Sequence, residues 1–194
     1  MTLSRRFPAL LLCLALGATT LHAQTHVPAP TAPVSPPPTK TSLESFSERS
    51  GTLLKKTYVT VGIVKGVTVQ ALTYTDVVNQ KTVSGITLEG TKATSYSTDR
   101  KVAFLDADEI DGLLKAISYV HDNVLSTPSP ADYTEVYFAS RSGFQAGVFN
   151  DPEKKNWQAF LKLEKYDARS SFFFSTEDLL KLRDLIAQAK SKLT

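Results

Sequence analysis

Cysteine, histidine and long apolar runs are scarce in this chain of 194 residues, which has one Cys and three His. Cys13 lies in an apolar stretch near the start, so loss of that stretch would leave no thiol for a disulfide framework or a cysteine nucleophile. His22 and His26 also precede residue 40, and His121 is alone in the remainder. One His without a thiol cannot assemble a zinc or redox-metal site, so no metal and no cofactor are expected. No Gly-x-Ser-x-Gly elbow or phosphate-cradling glycine loop occurs. A hydrolase would have to rest on His121 or on surface carboxylates. No segment approaches the roughly 20 apolar residues of a spanning helix, so the chain is not expected to cross a membrane.

Net charge is missing too once the ends are separated. Of 22 Lys and Arg, only Arg5, Arg6 and Lys40 precede residue 41, and the others equal in number the 19 acidic residues, all of which follow it. A balanced surface lacks the basic footprint that phosphate contacts require, and nucleic acid is not an expected partner.

What is present begins with Arg5-Arg6, the run from Ala9 to Leu16, and Leu21-His22-Ala23, the layout of a secretory signal peptide over residues 1–23. The expected location is therefore secreted or periplasmic. Proline stands where a twin-arginine motif usually carries phenylalanine, and Leu12 before Cys13 does not suit a lipid-attachment site. Residues 24–40 hold Pro28, Pro30, Pro33, Pro36, Pro37 and Pro38, a linker composition that favours extended polyproline II at about 3.1 Å per residue. Residues 41–194 are expected to fold as one α+β domain.

Period-two alternation and turn residues place strands near 52–64, 67–76, 82–90 and 101–105, with Lys65-Gly66 and Asn79-Gln80 as turns. The period then changes to about 3.6. Ile110, Leu113, Leu114, Ile117 and Val124 form one helical stripe, opened by Asp106 and Glu109 as a capping pair and closed by the Ser126–Pro130 segment. The order recurs with strands near 133–140, 143–149, 156–165 and 170–174 and a helix from Thr176 to Leu193. Ser175 and Asp178 take the places of Asp106 and Glu109, Phe173 takes that of Phe104, and Ile86-Thr87-Leu88-Glu89 matches Leu161-Lys162-Leu163-Glu164. Two β-β-β-β-α halves, about 41–127 and 131–194, are expected to form one antiparallel sheet with two helices on one face. This strand order resembles the duplicated, saddle-shaped sheets of TATA-binding-protein-like folds, a likeness of topology that carries no function.

The acidic run Asp106–Asp111 departs from a calcium loop at Ile110, Asp111 and Ile117, and free N–H groups of a first helical turn account for it. Glu89 and Glu164 are weak candidates for a paired-carboxylate mechanism. Alternation points Val59, Val61, Ile63, Val69, Ala71, Ile86, Leu88, Phe144, Ala146, Val148, Leu161 and Leu163 inward. It turns Tyr58, Leu72, Tyr74, Phe149, Phe160 and Tyr166 outward. Exposed rings among polar groups suit an interface, so Tyr58, Tyr74, Phe149, Phe160 and Tyr166 are the expected ligand-binding residues. The expected function is non-enzymatic binding of a protein, peptide or glycan. A structural envelope component is the alternative, and a secreted hydrolase a more distant one.

Cleavage after the small Ala23 should give a mature chain beginning at Gln24, with cleavage after Thr20 as the fallback because Leu21 is large for its position. Intact mass of the exported protein checks this, and retention of residues 1–20 or a lipid-sized increment would count against export.

Overall fold

In the computed structural model the described residues are 39–93 and 98–193; the expected signal segment and the linker through Pro38 lie outside them. The first half is an antiparallel meander of β1 (Leu54–Val64), β2 (Val67–Asp76), β3 (Lys81–Ala93) and β4 (Thr98–Asp106), followed by α2 (Ala107–Tyr119), which ends in a π-helical turn over Val120–Val124. The second repeats it with β5 (Glu135–Ala139), β6 (Gln145–Asp151), β7 (Asn156–Lys162), β8 (Ser171–Phe174) and α3 (Thr176–Lys190). Lys65 and Gly66, with φ of 46° and 78°, make the tight first turn that the sequence marks.

The ladders display the repeat. Val59, Ala71, Ile86 and Leu105 stand side by side across the first sheet, as Val136, Val148, Ala159 and Phe174 do across the second. By this register Ile86 corresponds to Ala159 and Leu88 to Leu161, a two-residue adjustment of the match read from sequence. Inner-face residues of both sheets join Ile110, Leu113 and Ile117 of α2 and Leu179, Leu182 and Ile186 of α3 in one continuous core.

Three details differ from the expectation. The strands divide into two four-stranded sheets instead of one. Where the sheets meet, the Phe172 ring lies 2.2 Å from where a Cβ on Gly90 would be, and Lys92 Nζ donates to the Ser171 carbonyl at 2.5 Å, so side chains and not a backbone ladder join them. The likeness to a single saddle therefore stops at strand order. Second, a register shift between Thr60 and Gly62 puts Gly62 and Val64 in line with the inward residues Val69 and Val67. Ile63, expected inside, is 68% exposed, and Val59, on an edge strand, is 41% exposed.

The third is an additional helix, α1 (Ser42–Ser47), on the outer face of the first sheet. Thr41 caps it: its hydroxyl accepts from Glu44 N, and the Glu44 carboxylate accepts from Thr41 N. Leu43 and Phe46 bury themselves against Leu72 and Tyr74, with Leu54, Val83 and Phe104 around them. Leu72 and Tyr74 were expected to face solvent, and α1 instead leaves them 0% and 2% exposed. Each such burial stabilises by about 1.5–3 kcal/mol.

The halves interlock. Helix α2 packs on β5 and β6 of the second half, and α3 packs on β1 and β2 of the first. The β5–β6 turn presents Arg141 to the start of α2, with Nη1 2.8 Å from Asp106. The β1–β2 turn presents Lys65 to the start of α3, with Nζ 3.7 Å from Asp178. Asp106 also accepts from Ser42 N at 2.7 Å and Leu43 N at 3.1 Å, so one carboxylate at the start of α2 binds both α1 and the second half.

Severing the chain between Thr127 and Pro130 should therefore leave each half unfolded or insoluble, because each would lose the helix that lies on its first hairpin. Expression of residues 41–127 followed by thermal melting tests this; a cooperative, monomeric melt would contradict the interlock.

Candidate functional site

On β5 the outward positions are Glu135, Tyr137 and Ala139; on β6 Gln145, Gly147 and Phe149; on β7 Gln158, Phe160 and Lys162; on β8 Ser171 and Phe173. These follow from strict alternation against the buried Ala146, Val148, Ala159, Leu161, Phe172 and Phe174. The ladder sets Tyr137, Gly147, Phe160 and Phe173 in one row across all four strands. At the same level of the first sheet the row is polar at three places, Thr60, Gln70 and Thr87, and ends in Phe104. There Gln70 Nε2 donates to Thr60 Oγ1 at 2.9 Å.

Gly147 fits this row because a Cβ there would lie 2.2 Å from the Val136 carbonyl and 2.5 Å from Tyr137 Cα. With no side chain between them, Tyr137 and Phe160 approach to 6.2 Å between ring centroids. Phe149 then meets Phe160 at 6.1 Å, Phe173 at 5.9 Å and Tyr133 at 6.1 Å. Such edge-on and tilted contacts contribute roughly 0.5–1.5 kcal/mol each. Tyr133 precedes β5 and is held by the buried Asn150, whose side chain accepts from Thr134 N and donates to the Pro130 carbonyl.

Five rings thus form one cluster, and four of them, Tyr133, Phe149, Phe160 and Phe173, line a shallow depression together with Glu135, Gln145, Lys162 and Ser171. Phe173 is 60% exposed, Tyr133 61% and Tyr137 44%, whereas Phe160 is 8% exposed and forms the floor. The Tyr133 hydroxyl donates to Glu135 Oε1 at 2.5 Å, and that bond pushes the phenol up to about 12.

Of the five residues expected to bind ligand, the structure brings Phe149 and Phe160 into this cluster. Tyr58 and Tyr74 lie on the first sheet: Tyr58 is half exposed at its edge, and Tyr74 lies under α1 with Lys56 Nζ 4.8 Å from its ring centroid. Burial, followed by the neighbouring Tyr58 and Glu44, holds the Tyr74 phenol well above its ordinary value. The ring does leave the core face as expected, but its expected exposure is corrected, because it meets α1 there. Tyr166 is exposed in the loop between β7 and β8, with Lys165 Nζ 5.3 Å from its ring. Tyr133, Tyr137 and Phe173 were not singled out from sequence. Alternation of Tyr137 with Val136 and Phe138 was the available signal for one, but three consecutive phenylalanines hid the alternation around Phe173.

The other candidates take structural partners. Asp106, Asp108 and Glu109 lie close enough to share a cation. The Arg141 guanidinium is there, 2.8 Å from Asp106, 2.5 Å from Asp108 and 3.7 Å from Glu109, and Arg141 N donates to Glu109 at 2.8 Å. The bond to Asp108 is the leading cause that raises the guanidinium pKa further. His121 is on the exposed π-helical turn with Nδ1 2.8 Å from Asp122. Glu89 pairs with Arg100 at 2.5 Å and Glu164 with Lys101 at 3.3 Å.

Comparison of the chain with known protein families, with curated proteins and with solved structures finds no match.

Burial separates the rings by their expected effect on stability. Phe173→Ser should lower the unfolding free energy by no more than about 1 kcal/mol, the scale of its ring contact with Phe149. Tyr74→Ser should lower it by about 3 kcal/mol through the cavity and the loosened α1. Denaturant unfolding of both variants is the check; equal effects would mean that the two outer faces are covered alike.

Proposed function

We propose that this protein is an exported, non-enzymatic binding module that holds its partner on the outer face of the second sheet, with the proline-rich segment 24–40 as a spacer ahead of the domain. The observation that supports this reading is the ring cluster itself. Five aromatic side chains share one sheet face, and three of them stay largely exposed although the equivalent face of the first sheet is covered by a helix. Rings bury large areas at small entropic cost, and contiguous apolar exposure on this scale marks interaction surfaces. A mixed rim of Glu135, Gln145 and Lys162 around an aromatic centre follows the usual division of an interface into apolar core and polar edge.

Export enters through the segment 1–23, and among the described residues no helix is long and apolar enough to cross a membrane. The partner is then a molecule of the envelope or the exterior.

Replacing Phe149 and Phe173 together with Ser should abolish capture of partner from the native envelope while the domain stays folded, its melting temperature lowered by roughly 5–15 °C with the lost ring contacts. Affinity capture with parent and variant in parallel, followed by mass spectrometry, reads the first quantity and thermal melting the second. Equal capture by both would remove this face as the binding surface.

A further inference from the structure

The two sheets present equivalent outer faces with unequal cover. By the ladder register Leu72 and Phe104 of the first sheet correspond to Phe149 and Phe173 of the second. Over the first pair lies α1, with Leu43 and Phe46 three residues apart on its inner side. Over the second pair no helix lies among the described residues, and Phe173 is 60% exposed. Half of this molecule thus displays the kind of occupant that such a face accepts.

Resting on the binding role proposed above, we infer that the ligand of the second face is a short amphipathic helix of another protein, carrying an apolar pair at i and i+3 with an acidic side chain beside it. Lys162 is the group that the acid would meet. Of the two charged side chains that line the depression, Glu135 is engaged by the Tyr133 hydroxyl, and Lys162 has no ion-pair partner among the described residues. Helix α1 has the corresponding composition, with Glu44 and Glu48 around Leu43 and Phe46. Ring geometry disfavours a glycan. Neighbouring rings are inclined to one another by 41° to 70°, which offers grooves between rings and no flat platform on which a sugar could stack.

The probe is a fluorescently labelled synthetic peptide of residues 39–52, titrated into the mature chain and followed by anisotropy. Saturable binding is expected, about tenfold weaker to the Phe173→Ser variant and several-fold weaker to Lys162→Glu, with both variants melting within a few degrees of the parent. A peptide of the same composition in scrambled order should not bind. Absence of binding, equal binding of the scrambled peptide, or binding indifferent to both substitutions would overturn the inference, the last because the peptide would then be replacing α1 on the first sheet. Concentration-dependent dimerisation abolished by Phe173→Ser would also overturn it in favour of a second copy. If the peptide fails while Phe149→Ser/Phe173→Ser still abolishes envelope capture, the helix assignment falls and the binding role stands; if capture is unaffected as well, both fall.

Discussion

The fold depends on an exchange: each half supplies the helix that covers the other half's first hairpin. A four-stranded meander has one face that must leave water, and here α3 covers β1 and β2 while α2 covers β5 and β6. The exchange is fixed at both ends by charge. A cation at each hairpin tip, Lys65 or Arg141, meets a carboxylate at the start of the helix that lies on that hairpin. The two fastenings are unequal. Asp178 is served by two lysines and its own cap serine, whereas Asp106 is almost wholly buried and satisfies two N–H groups of α1 together with the Arg141 guanidinium. A buried carboxylate with that many donors is stabilising only as a set, because removal of one partner leaves the charge without compensation.

The same asymmetry governs the surfaces. Attachment of α1 to Asp106 commits the outer face of the first sheet to an internal partner, and the polar row Thr60, Gln70, Thr87 beside it needs none. The second sheet ends in Ser175, which caps α3 with its own hydroxyl and has no spare carboxylate for a further helix. Its outer row is Tyr137, Gly147, Phe160 and Phe173 instead. A duplicated architecture thus carries one closed face and one open one, and the difference reduces to a few side chains at corresponding register positions.

Much of this was legible in the sequence. Period-two alternation, the Lys65-Gly66 turn and the capping residues Asp106 and Ser175 are local signals, and the eight strands and two long helices follow them. What escaped reading depends on tertiary partners or on defects in the alternation. The bulge at β1 reverses the parity of Ile63, and no residue type announces it. Where the two sheets meet, Phe172 packs against Gly90, residues far apart in sequence. Helix α1 had a readable signature in Thr41 and Glu44, but it is only 6 residues long, and its apolar pair gains meaning only against Leu72 and Tyr74. At the candidate site Phe149 and Phe160 were legible as outward positions. Tyr133 was not, because Asn150 places it from outside any strand.

The first described residue donates its backbone N–H to the Arg141 carbonyl at 2.8 Å, and α1 begins three residues later on Asp106. Tension applied ahead of residue 39 therefore does not peel an edge strand away rung by rung. It is delivered to a compact knot of Thr39, Arg141 and Asp106, where bonds to a turn, two helix starts and a strand end are loaded together. Because that knot lies at the junction of the two halves, a pull from that side would load both lobes instead of unravelling the first.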